Sequence, residues 1–294
     1  MLPGMAKKPY KPLIAIVGAG NLASALAPAL HGAGYRIEQI VARASSIKRA
    51  RRLAQEIHAR AEFSNRAQIS ADIVWFCVPD RAIAAAAKSL ADAAHWEGKV
   101  ALHSSGALSS DELSMVRATG ATVASAHPLM TFVRGSRPSL AGVSFAVEGD
   151  LKAVREARAI VSDLGGEAFS IRKVHKAAYH AWGMFSSPLL CSLLAASERV
   201  AAEVGVGRKS ARARMLPILR QTLANYARLG AAESFSGPIV RGDVETVRKH
   251  LKVLRSVPGG REVYVALASA ALRDLPAQNR AALRKALAGA KHSS

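Results

Sequence analysis

The segment Ile14-Ala15-Ile16-Val17-Gly18-Ala19-Gly20-Asn21-Leu22-Ala23-Ser24-Ala25-Leu26 constrains this chain more than any other. Four apolar residues run into a glycine turn that opens at once into a helical pattern, which is the context a dinucleotide-binding fingerprint needs. Gly18 permits a tight turn, Gly20 lets a pyrophosphate approach the backbone, and the small Ala23 lets the helix pack closely on its strand. Ala19, Asn21 and Leu22 complete the turn and the helix start, whose N–H groups suit a phosphate. Alone, the segment is also an ordinary strand-to-helix turn. At the head of further strand–helix units it points to dinucleotide binding.

Those units follow. Residues 13–17, 37–42, 73–78, 100–103, 122–126 and 143–147 have the apolar runs of buried strands, and helical patterns cover 22–33, 46–59, 82–94 and 110–119. Such alternation predicts a mostly parallel sheet with helices on both faces, a Rossmann-type α/β domain. A short strand is expected over 168–171, after which nearly everything is helical: 174–204, 208–229, 243–254, 262–273 and 276–288, with Asp243 capping the third of these. The expected organisation is an α/β domain over residues 1–170 followed by an all-helical domain over 171–294.

The end of the second strand selects the dinucleotide. An NAD site places Asp or Glu there for the ribose 2′-hydroxyl, whereas a 2′-phosphate calls for a cation. Here the chain has Arg43, then Ser45 and Ser46, then Lys48 and Arg49, while Glu38 lies too early in the strand to compete. Arg43 can pair with a phosphate and the serines can donate to it, so NADP(H) is the expected cofactor. A surface loop that happens to be basic is the alternative.

Other chemistry-bearing residues cluster at strand ends. Val78, Pro79 and Asp80 follow one strand, Ser104 and Ser105 another, and His127 a third, all where a ligand crevice would lie. Lys176, Tyr179 and His180 share one helical face and suit proton donation to a carbonyl or imine. Arg241, in the Gly237–Asp243 loop, can clamp a carboxylate. Each has a structural alternative: a helix cap for Asp80, a hydrogen-bonded core residue for the histidines, a wetted polar face for the helix, a helix entry for the loop. His175 and His180 point in different directions, so no metal site is expected.

The chain has 41 Lys+Arg against 21 Asp+Glu, a formal net charge of +20. Such a balance raises nucleic-acid binding, but aromatic residues are only 5% and no zinc-finger or aromatic RNA-binding signature occurs, so solvated helix faces and a cofactor phosphate account for it better. Half of the residues are hydrophobic, which excludes a disordered or collagen-like chain. Cys77 and Cys191 both sit in apolar stretches and are expected to be buried, reduced thiols. No signal peptide and no apolar stretch of about 20 residues is visible, so a soluble cytoplasmic protein that needs no membrane is expected.

As a set, these residues resemble a bacterial family of Rossmann-like proteins with a C-terminal helical domain of unknown function. That family is distantly related to pyrroline-5-carboxylate reductase, ketopantoate reductase and the 3-hydroxyacid dehydrogenases. The carriers are the glycine turn with Asn21, Val78-Pro79-Asp80, Ser105-Gly106-Ala107-Leu108, His127-Pro128, Tyr179-His180 and Gly237-Pro238-Ile239-Val240-Arg241-Gly242-Asp243. The resemblance runs from Leu13 to about Leu272. It implies an NADP-binding oxidoreductase with a helical domain of the 6-phosphogluconate dehydrogenase C-terminal kind, which dimerises and helps to bind a small substrate. The long apolar helix over 178–204 fits a homodimer. Where pyrroline-5-carboxylate reductases carry a Ser-Gly-Ser-Gly-Pro-Ala type segment, this chain has Met184-Phe185-Ser186-Ser187-Pro188-Leu189, which makes Ser187 a candidate substrate contact and argues against the proline-forming activity itself. The Lys-x-x-x-Asn pair of the hydroxyacid dehydrogenases becomes Lys176 and His180. A non-catalytic NADP(H)-binding sensor is the alternative function on the same fold.

Overall fold

The computed structural model describes residues 11–290, which divide into two compact units, one ending at Met184 and the other starting at Phe185. In the first unit the chain runs β1 (Ile14–Val17), α1 (Asn21–Gly32), β2 (Ile37–Ala42), α2 (Ile47–Glu56), β3 (Arg60–Phe63), β4 (Ile73–Phe76), α3 (Ile83–Ser89) and β5 (Val100–His103). It continues with α4 (Ser114–Ala118), β6 (Thr122–Pro128), β7 (Ser144–Gly149), α5 (Leu151–Asp163), β8 (Glu167–Ser170) and α6 (Lys176–Ser186), the last two residues of which belong to the second unit.

The eight strands form one sheet in the order β3-β2-β1-β4-β5-β6-β7-β8. All neighbours are parallel except β6 and β7. Alternate strand residues feed two cores. Ile14, Ile16, Trp75 and Leu102 pack with α1, α2 and α5 on one face; Ala15, Val17, Val74 and Phe76 pack with α3 and α4 on the other. Burial on both faces explains why these strands are continuously apolar rather than alternating. It also confirms the Rossmann-type α/β architecture expected from the strand–helix alternation. The strand order reverses between β1 and β4, and in open α/β sheets a crevice forms outside the carboxyl ends at such a point.

The second unit is helical: α7 (Pro188–Ala202), α8 (Arg208–Ser234), α9 (Val244–Val253), α10 (Gly260–Asp274) and α11 (Arg280–Gly289). Val247, Leu251, Val265, Ala268, Leu272, Leu283 and Leu287 make its core from α9, α10 and α11. Asp243 caps α9 as expected, accepting from the Thr246 N–H at 3.0 Å.

Three local expectations need correction. The single helix expected over 174–204 is two, α6 and α7, because Ser187 is non-helical (φ −137°, ψ −73°) before Pro188. Proline disfavours helical backbone at the residue before it and is well placed at a helix's first position. β3 was not expected; its Arg-Ala-Glu-Phe is an edge strand with no fully buried residue, so it lacks the apolar run that marks the others. Cys191 is exposed on α7, whereas Cys77 is buried. Among the described residues no helix is long and apolar enough to cross a membrane.

Candidate active site

The glycine turn is pinned from both sides. Gly18 donates its N–H to the Val41 carbonyl of β2 at 2.8 Å, and Val17 accepts from the Cys77 N–H beyond β4 at 2.7 Å. Gly18 has φ +113°, and a Cβ there would drive into the Cys77 carbonyl oxygen, so both conformation and space demand glycine. At Gly20 the nearest obstacle to a Cβ is the same oxygen at 3.9 Å, which leaves the backbone open to an incoming group. Gly20 is also the N-cap of α1 and supplies no side-chain bond to it, so the first N–H groups of that helix are available to an anion. Asn21 is oriented by a bond from Nδ2 to the Phe132 carbonyl at 3.1 Å.

A cleft of about 580 Å³ lies at the β1–β4 crossover, walled by Gly18, Ala19, Gly20 and Asn21, by Arg43, Ser45 and Ser46 after β2, and by Val78 and Pro79 after β4. Arg49 and Ser64 line it too. Arg49 sits one turn into α2 behind the serines, whereas Ser64 follows the unexpected β3 and carries no sequence signal. Glu38 is spent elsewhere: it accepts from Arg60 at 3.0 Å, from Ser70 Oγ at 2.5 Å and from the Ala71 N–H at 2.8 Å. The β2 end of the cleft therefore presents two guanidinium groups and three hydroxyls. Of the other residues expected at the cofactor, Leu22 and Ala23 pack into the core, and they, Asp80 and Ser104 all lie outside the cleft wall. Ser104 Oγ accepts from the Trp75 indole at 2.8 Å.

A second cluster joins β5, β6 and α6. Ser105 donates its hydroxyl proton to Asp80 at 2.8 Å and accepts from the N–H groups of Ala107 (3.2 Å) and Leu108 (2.9 Å), so its side chain shapes the 105–108 turn. His103 is fully buried; Nδ1 accepts from the Ser105 N–H at 3.0 Å and Nε2 donates to the Ser109 carbonyl at 2.9 Å. That pairing requires a neutral ring, and burial lowers its pKa to about 4.

Lys176 is 1% exposed and is enclosed rather than open to a ligand, with Nζ 2.6 Å from both the Ser105 carbonyl and Ser125 Oγ. Burial lowers its pKa to about 8, with Glu148 and Asp80 opposing the shift. Tyr179 is buried, and its phenol lies 2.8 Å from His127 Nδ1 and 3.2 Å from the His127 carbonyl oxygen. Burial raises that phenol to about 12 and, together with the charge of Lys176, lowers the half-buried His127 to about 4. His180 completes the group beside Gly106, where a Cβ would lie 2.9 Å from His180 Cδ2 and 3.0 Å from His127 Nε2.

Asp80, Ser105, His127, Lys176, Tyr179 and His180, scattered over a hundred residues of sequence, thus form one set within the first unit. Ser187 and Arg241 belong to the second unit, Arg241 in the turn that leads to the Asp243 cap. Among the described residues no group of three or more His, Cys, Asp or Glu could hold a metal ion.

Residues 13–102 match the family model described as NADP oxidoreductase, coenzyme F420-dependent, and residues 143–271 match a domain of unknown function, DUF2520. Among solved structures, a Bacteroides fragilis protein provisionally assigned as an NADP oxidoreductase is similar at 21% identity and a TM-score of 0.74, over 88% of this chain and 97% of that one. A Thermotoga maritima protein is similar at 23% identity and 0.69, over 95% of this chain and all of that one. An imine reductase of a Pseudomonas species follows at 19% and 0.64, again over 95% and 100%. Comparison with curated proteins gave no match. Over residues 13–102 the chain thus matches an NADP oxidoreductase family model, and over nearly its whole length it shares the fold of these solved structures. More particularly, it joins such a domain to a C-terminal region matching the domain of unknown function, as the sequence resemblance implied.

Proposed function

We propose that the chain is an NADP(H)-dependent oxidoreductase acting on a small, carboxylate-bearing carbonyl or imine compound. The observation that carries this is the cleft at the β1–β4 crossover, with an open glycine backbone at one end and a cationic, hydroxyl-rich pocket with Glu38 turned away at the other. Gly18, Ala19, Gly20 and Asn21, with the start of α1, would hold the pyrophosphate. Arg43, Ser45 and Ser46, joined by Arg49, would hold the 2′-phosphate. Bound there, the nicotinamide supplies the hydride chemistry.

The protein's own part is to orient the substrate and to move one proton at its oxygen or nitrogen. The group formed by His127, Tyr179 and His180 suits the proton movement, and the buried Lys176 holds the Ser105 turn beside it. Arg241 and Ser187 are proposed as substrate contacts on the strength of their chemistry and the family resemblance. A homodimer formed through the helical unit, in the cytoplasm, completes the proposal. Titration with NADPH and NADH tests it. NADPH should bind more tightly, and Arg43→Ala should lose about tenfold or more of that preference, since a charge-assisted bond is worth roughly 1.5–3 kcal/mol. Equal affinities in the wild type, or an unaltered preference in the variant, would sink the 2′-phosphate assignment.

A further inference from the structure

We propose that His127 exchanges the proton with the substrate, through Nε2, and that Tyr179 is a positioning residue that decides which imidazole nitrogen is free. This rests on the oxidoreductase function proposed above and names the atom that does its acid–base work.

The phenol of Tyr179 has one proton and two contacts, both with His127: Nδ1 at 2.8 Å and the backbone carbonyl oxygen at 3.2 Å. A carbonyl can only accept. Both contacts are hydrogen bonds only if the phenol donates to the carbonyl and Nδ1–H donates to the phenol oxygen. The ring proton then sits on Nδ1, and Nε2 keeps its lone pair. Nε2 is turned toward Gly106, where a Cβ would lie 3.0 Å away. The absence of a side chain at Gly106 is therefore what lets Nε2 and the His180 ring lie together against this turn.

Tyr179 itself is unsuited to meet a substrate. It is 6% exposed, its hydroxyl is fully occupied, and the rings of His127, Phe169 and Trp182 stand edge-on around it at 5.4, 6.0 and 6.1 Å between centroids. Lys176, more deeply enclosed still, acts on the site by its charge and by holding the carbonyl that precedes Gly106. The groups bearing on the His127 ring are Lys176, Tyr179 and His180 from α6, Asp80 beyond β4 and His103 from β5. Burial and the cation outweigh Asp80, so the ring is neutral at pH 7 and Nε2 is a base.

In the oxidative direction the substrate O–H or N–H bond breaks and its proton bonds to Nε2 as the adjacent carbon gives up hydride, which an oxidised nicotinamide would accept, and the imidazolium formed keeps Nδ1–H on the phenol before passing a proton to solvent. In the reductive direction the same bonds break and form in reverse as the substrate carbon accepts hydride. Reduction is accordingly expected to quicken as pH falls toward the ring's pKa, and oxidation to reach its plateau above it.

The test reads the tautomer first. In the ¹⁵N-labelled full-length protein, imidazole correlation spectra at pH 7, assigned with His127→Gln, should show an unprotonated Nε2 and a protonated Nδ1. Tyr179→Phe should move the proton to Nε2. A protonated Nε2 in the wild type, or spectra unchanged by Tyr179→Phe, would overturn the proposal. Turnover is then followed as NADPH oxidation with pyruvate and with 1-pyrroline-2-carboxylate as carbonyl and imine probes. His127→Gln should lower kcat by about 10²- to 10⁴-fold with NADPH affinity retained, and Tyr179→Phe should lower kcat less while shifting its pH profile. Wild-type kcat in His127→Gln would also overturn the proposal. A wild-type protein that binds no NADPH would instead refute the oxidoreductase function, and the spectra would still decide the tautomer independently.

Discussion

β1 and α8 stand at opposite extremes in how they treat apolar surface. All four residues of β1 are buried between two helical layers. α8, which runs helically from Arg208 to Leu229 and breaks at Gly230 (φ +77°), buries only Ala211 and leaves Leu216, Ile218, Leu223 and Tyr226 exposed at 42, 68, 60 and 59%. β1 thus satisfies its apolar residues within its own unit, while the longest helix of the other unit carries apolar side chains that its own unit does not cover. Exposed apolar patches of this kind mark interaction sites, which is the physical basis for the proposed dimer. It follows that equal truncations in the two regions should have unequal effects.

The largest effect is expected at Trp75, fully buried in the sheet unit. Trp75→Ala should cost about 3–5 kcal/mol in denaturant unfolding, whereas Ile218→Ala on α8 should cost the monomer no more than about 0.5 kcal/mol. Equal costs would abolish the contrast.

Acid comes next. His103 and His127 are held neutral, with pKa values lowered from 6.5 to about 4. Between those values the unfolded chain binds more protons than the folded one, so stability is lost as pH falls from 6.5 toward 4. For the fully buried His103 alone the loss is on the order of 2–3 kcal/mol. Unfolding midpoints measured across that range should fall, and the slope should flatten in His103→Gln; a flat wild-type profile would contradict the neutral rings.

A smaller loss, about 1 kcal/mol, is expected for Asp243→Ala, which removes the cap of α9 and should show in thermal unfolding of the helical unit. The smallest change in stability but the clearest change in mass is expected for Tyr226→Lys. It should shift sedimentation from dimer to monomer with little effect on the folding of each chain. A wild-type monomer would refute the proposed dimer.

What could be seen in the sequence follows from range. The glycine turn, the buried parallel strands and the Asp243 cap are local patterns, and all appear where the sequence places them. The break at Ser187 was also written locally, in Pro188, but the apolar run on either side hid it. β3 escaped because an edge strand needs no apolar run. The bond between His127 and Tyr179 spans 52 residues. The helical face shared by Lys176, Tyr179 and His180 was legible, yet only the sheet register brings Ser105, Ser125 and His127 against it. Nor could the sequence reveal that Lys176 is enclosed, since a lysine on a helix reads as solvated until the strand ends above it are known.

The turn at Gly18 also bears on how this chain can vary. The group that forbids a side chain there is the backbone oxygen of residue 77, which every amino acid would carry. No substitution at position 77 can make room, so position 18 has no compensating partner and is closed to change. Arg43, Ser45, Ser46, Arg49 and Ser64 carry no such backbone constraint. Cofactor preference is therefore the part of this site that drift or selection can retune, on a pyrophosphate turn that must stay as it is.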